Sequence, residues 1–140
     1  MERLSKEFVV NMNSEAHNTN FKLLRGKKVL YDATLENGEK ILLCTPESKY
    51  HAASNKWWVD ITEIQKCIFD SYDKVSIVFR LEGSMLGLIN WRDLMPFLTF
   101  NCMRNSKNEG DHWKIYIYPK YLKVQGNEKT CKLEVVKVKI

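Results

Sequence analysis

The sequence is short of the residues that announce most kinds of chemistry. Its four cysteines (Cys44, Cys67, Cys102 and Cys131) stand far apart with no C-x-x-C pair, and its three histidines (His17, His51 and His112) form no pair at zinc-ligand spacing. That spacing argues against a metal finger. The six glycines are isolated turn residues, so there is no Walker loop, no dinucleotide fingerprint and no Gly-x-Ser-x-Gly elbow. The expectation is a chain with no metal and no cofactor. Long apolar runs are also missing: Phe8-Val9-Val10 is far shorter than a signal-peptide core, and nothing approaches bilayer thickness. A membrane partner is therefore not expected, and apolar neighbours beside Cys44, Cys67 and Cys102 suit free core thiols in a reducing, cytoplasmic compartment.

What is present suits a folded domain with a surplus of positive charge. At 140 residues with 44% hydrophobic content, the chain has material for one core, and residues 1–140 read as a single domain. Lys and Arg outnumber Asp and Glu by 22 to 17, a formal charge of +5. The excess is uneven: residues 114–140 hold seven lysines against Glu128 and Glu134. Such a field favours polyanionic partners.

Two-residue alternation is the strongest structural signal. In His112-Trp113-Lys114-Ile115-Tyr116-Ile117-Tyr118-Pro119-Lys120, one strand face takes Trp113, Ile115 and Ile117, and the other takes Lys114, Tyr116, Tyr118 and Lys120. The first face reads as core. The second interleaves ammonium groups with rings, which pairs phosphate neutralisation with base stacking.

Other segments fit a sheet protein. Residues 29–35 and 39–45 flank Asn37-Gly38 and predict a hairpin with a type I′ turn. A second hairpin spans 75–89 around Glu82-Gly83-Ser84, and a final strand is expected over 130–140. Thr62 can cap a helix over 63–72 with Ile61, Ile64, Ile68 and Phe69 as its buried stripe, and Asn90 can start a short helix limited by Pro96. Residues 1–20 read as a less ordered lead-in, and 101–111 as a mobile loop. The fold class expected is α+β, mostly antiparallel β: a sheet or partly open pseudo-barrel of six to eight strands with two short helices. A last strand running to Ile140 without a polar tail suggests an N-terminal module of a longer protein.

The resulting functional expectation is a nucleic-acid recognition module, with DNA the expected partner. Phosphates would be held by Arg25, Lys27, Lys28, Lys114, Lys120 and Lys123. Bases would be read by Ser48, Lys49, Tyr50, Asn55, Lys56 and Trp57, with Tyr116 and Tyr118. Pseudo-barrel DNA readers of restriction and defence systems share this general architecture, an analogy of shape alone.

Two alternatives remain open at this point. Asp32, Glu47 and Lys49 follow the order of an Asp…Glu-x-Lys nuclease site, but pairing about Asn37-Gly38 puts Asp32 opposite a residue near Leu43, leaving Glu47 on the order of 13 Å away. The other alternative is a protein-interaction domain using the tyrosine face and the last strand as an edge.

Overall fold

The computed structural model describes residues 3–139; the expected strand end at Ile140 lies outside the described residues. Among the described residues, twelve strands form two open sheets and no closed barrel. Sheet A contains β1 (Lys22–Leu23), β2 (Leu30–Thr34), β3 (Lys40–Cys44), β6 (Lys74–Leu81), β7 (Met85–Asn90) and β12 (Glu134–Lys137), in that order across the sheet. Sheet B runs β11 (Cys131–Lys132), β10 (Tyr121–Val124), β9 (Gly110–Ile117), β5 (Lys56–Thr62), β4 (Lys49–His51), with β8 (Arg104–Ser106) also on β9. Pairing is antiparallel except between β3 and β6, where the chain leaves sheet A, builds β4 and β5 of sheet B, and returns. The α+β, antiparallel-rich architecture is as expected. The strand number is higher because two- and three-residue strands such as β1, β4, β8 and β11 edge the longer ones.

The β2–β3 hairpin forms about Asn37-Gly38, but only Gly38 has a positive φ (+86°). Gly38 N donates to Leu35 O at 2.9 Å and Leu35 N to Glu39 O at 2.9 Å, so the connection is a turn plus a left-handed glycine rather than the two-residue type I′ loop. Helix α2 (Glu63–Phe69) begins with a full capping box: Thr62 Oγ1 accepts from Gln65 N, and Gln65 Oε1 accepts from Thr62 N. Its stripe is narrower than expected, since Phe69 is buried while Ile64 is exposed. Pro96 confines α3 (Trp91–Leu94) to a single turn followed by a 3-10 turn at Met95–Phe97.

Two expectations of disorder are corrected. Within the lead-in, α1 (Lys6–Ala16) is a helix whose Ser5 cap accepts from Phe8 N at 3.1 Å. Leu4, Val9 and Val10 bury against Tyr31, Leu43, Val78 and Leu86 of sheet A, and this tertiary contact outweighs the polar composition. Residues 101–111, expected as a mobile loop, instead form β8 and its hairpin to β9, with Arg104 opposite His112 and Ser106 opposite Gly110.

The layers follow from these elements. The main core lies between the sheets: Leu42, Ile77, Phe79 and Leu81 from sheet A meet Trp57, Val59, Ile61, Trp113, Ile115 and Ile117 from sheet B. Sheet A is covered on both faces, so Ile41, Leu42, Leu43 and Cys44 are all buried in succession. Burial pushes the Cys44 thiol up to about 12. Cys102 and Cys131 are also buried free thiols, whereas Cys67 is exposed despite Ile68 beside it. Gly87 sits where a Cβ would lie 3.4 Å from both Leu133 and Phe79, which lets β7 approach the core closely.

Sheet B has an apolar inner face only, and β5 alternates buried and half-buried residues along its length. Removing one inward methyl-rich group should be costly: Ile115→Ala is expected to lower the urea-derived unfolding free energy by about 2–5 kcal/mol. Thr62→Ala, which removes the α2 cap, should cost about 1 kcal/mol in the same measurement.

Candidate nucleic-acid interface

Alternation along β5 and β9 fixes which side chains face away from the core. Trp57, Val59 and Ile61 point inward, so Lys56, Trp58 and Asp60 point outward. Trp113, Ile115 and Ile117 point inward, so His112, Lys114 and Tyr116 point outward. The register then sets neighbours: Lys49 opposite Trp58, Trp58 opposite Tyr116, Tyr116 opposite Lys123, and Asp60 opposite Lys114. Four strands thus contribute to one lysine–aromatic face, and neither hydrophobic cluster covers it.

The lysines lie on the rings. Lys56 Nζ is 3.8 Å from the Tyr116 ring centre, Lys114 Nζ is 4.3 Å from that of Trp58, and Lys49 Nζ is 5.1 Å from it. Contacts of this type contribute about 0.5–1 kcal/mol each at exposed sites. They hold flexible side chains beside the rings. Gln125 Nε2 donates to Tyr116 Oη at 3.0 Å, steadying that ring. Beyond the end of β9, Tyr118 and Tyr121 stack at 4.7 Å between ring centres with 20° between planes.

Of the residues expected to bind, Lys49, Lys56, Lys114, Tyr116 and Lys123 come together on this face. Tyr118 and Lys120 lie in and beside the β9–β10 turn, where Lys120 O accepts from Leu133 N. Arg25, Lys27 and Lys28 belong to the β1–β2 connection at the edge of sheet A, and Lys28 O is taken by Lys6 Nζ at 3.0 Å. Three assignments to base reading are corrected. Ser48 is fully buried, with its Oγ donating to Arg80 O at 2.9 Å. Trp57 is 9% exposed and part of the inter-sheet core. Tyr50 pairs with Trp57 in register, so it stands on the inward side, packs its ring on Trp57 at 5.4 Å, and donates its hydroxyl to Asn55 Oδ1.

Of the adjacent pair, Trp58 and not Trp57 is the indole on this face. Its signal was present: Val59 and Ile61 are the apolar partners of Trp57 at two-residue spacing, and that parity leaves Trp58 outside.

The nuclease constellation is dispersed. Asp32 lies on β2 opposite Leu42, one residue from the position expected, and accepts from Tyr72 Oη at 2.6 Å. Burial and this bond push the Tyr72 phenol up to about 12. Glu47 is ion-paired to Arg3 at 3.1 Å, while Lys49 lies over Trp58 on the other sheet.

No protein-family model matches the chain, and no curated protein or solved structure matches it. No helix among the described residues is long and apolar enough to cross a membrane.

Trp57, Trp91 and Trp113 are all buried, at 9%, 6% and 1% exposure, and Trp58 alone has lysines against its ring. Iodide should therefore quench chiefly Trp58, drawn by the local positive charge. Trp58→Phe is expected to remove most of the iodide-quenchable fluorescence; a Stern–Volmer slope equal to that of the unmodified protein would contradict the placement.

Proposed function

We propose that the chain is a nucleic-acid-binding module, with DNA the expected form, and that it holds a single strand across the outer face of sheet B. The observation that supports this reading most is the register-fixed row Lys49, Trp58, Tyr116, Lys123, flanked by Lys56 and Lys114. Each ring is bordered by an ammonium group. A base can replace a lysine over Trp58 or Tyr116 while the displaced ammonium moves to the phosphate of the same nucleotide, so ring and charge act on one strand together. A broad sheet face suits unstacked bases better than a duplex groove, which requires a protruding helix or ribbon.

The face is unequal along its length. Lysines cluster with Trp58, Tyr116 and the Tyr118–Tyr121 stack, whereas at the opposite end Asp60 and the Glu109 carboxylate offset the charge of Arg104. A polyanion therefore lies toward the tyrosine end. The shape analogy with restriction and defence readers adds nothing to this reading.

The test is a fluorescence-polarisation titration of labelled oligothymidine over a salt series. With four to five lysines engaged, the slope of log K against log salt should be about −3, and Lys114→Ala should make it shallower by about 0.7. Trp58→Ala should weaken binding by about 1–3 kcal/mol with the slope nearly kept. Salt-independent binding, or both variants binding as the unmodified protein does, would overturn the proposal.

A further inference from the structure

At the end of this face away from the tyrosines, three side chains converge that no spacing rule connects. His112 and Asp60 both point outward, diagonal to one another across the β5–β9 pairing in which Asp60 faces Lys114 and Thr62 faces His112. Glu109 comes from the β8–β9 turn, closed by Glu109 N donating to Ser106 Oγ at 3.2 Å and by Gly110 at φ +67°. One donor atom from each of Asp60, Glu109 and His112 lies within 4.8 Å of the others.

We propose that Asp60, Glu109 and His112 bind a divalent transition-metal ion of the zinc or manganese class. This assignment stands apart from the nucleic-acid reading. Two features of the cluster point to a ligand. His112 is only 7% exposed, and its Nδ1 lies 3.0 Å from Gly110 O. A carbonyl can only accept, so Nδ1 donates to it, and Nε2 is left facing Glu109 Oε2 at 3.8 Å, beyond hydrogen-bond length. Asp60 Oδ1 is buried and has no hydrogen-bond partner. A buried carboxylate oxygen without a donor is costly, and an ionised Glu109 supplies none.

A positive centre among the three resolves all of these contacts at once. Metal–oxygen and metal–nitrogen bonds of about 2.0–2.2 Å place donors roughly 3–3.5 Å apart, a contraction that side-chain rotation supplies. One imidazole with two carboxylates is a borderline donor set that suits zinc or manganese better than calcium or magnesium, which favour all-oxygen shells. The carboxylate of Glu109 is 41% exposed, leaving a route for the ion and room for water in the remaining positions. A proton competes for the same place: Glu109 is held above its ordinary pKa first by a hydrogen bond to Asp60, then by burial and the Asp60 charge, against nearby positive charge that includes Lys114.

Isothermal titration of untagged, chelator-treated protein with zinc chloride, manganese chloride and magnesium chloride separates these. The expected result is one equivalent of zinc or manganese bound, magnesium at least about tenfold weaker, and a loss of about tenfold or more in Asp60→Asn and Glu109→Gln. Both replacements keep shape, so they preserve the fold if His112→Ala does not. Cobalt titration adds a second readout: a visible d–d band without thiolate charge transfer, absent from both variants. No stoichiometric binding, or equal binding by Asp60→Asn and Glu109→Gln, would overturn the site and assign the cluster to a shared proton.

Discussion

The pairing of β5 with β9 decides both what is buried and what is displayed. Its register sends Trp57, Val59, Ile61, Trp113, Ile115 and Ile117 into the core. A slip of one residue would exchange them for Trp58, Asp60, Lys114 and Tyr116. Each large apolar side chain loses about 1.5–3 kcal/mol when moved to water, and each unpaired charge moved inward costs several more. No alternative register competes at that cost. The lysine–aromatic face is thus a consequence of the core, drawn from the same residues by parity.

The two sheets show how context changes the same element. Sheet A lies between α1 and sheet B, so β3 is apolar on both faces and carries no outward chemistry. Sheet B has an apolar inner face only, so every second residue along β5 and β9 is free to be Lys, Trp, Tyr, Asp or His. Even the N-terminal segment depends on this layering. Arg3 donates to Ser48 O at 2.6 Å and pairs with Glu47 and Glu82, while Arg80 reaches Leu4 O and Thr45 O. Those bonds tie α1 across sheet A and burial draws the Arg80 pKa below its ordinary value.

Local signals were legible wherever one residue's backbone preference or a strict period governed the outcome. The Thr62 cap, the stop at Pro96, the hairpin at Gly38 and the 112–117 alternation all have that character. Features set by distant contacts were not. Helix α1 exists because Val9 and Val10 meet Leu43 and Val78, and nothing within a polar run such as 11–20 announces such a partner. Ser48 reads as a loop hydroxyl until Arg80 O is found beside it. The candidate site was half legible: parity gave Lys114 and Tyr116, and the same rule applied to β5 selects Trp58 over Trp57. The Asp60–Glu109–His112 cluster needed the register itself, since its members are joined across two strands and a turn.

The proposal that the outer face of sheet B receives a nucleic-acid strand is open to direct measurement. Backbone and indole amide shifts of labelled protein, followed by NMR during titration with unlabelled oligothymidine, test it most directly. The account predicts the largest changes at Lys49, Lys56, Trp58 including its indole N–H, Lys114, Tyr116 and Lys123, with α1 and sheet A unmoved. Changes centred on the β1–β2 connection or on α1, or none at saturating oligonucleotide, would contradict it.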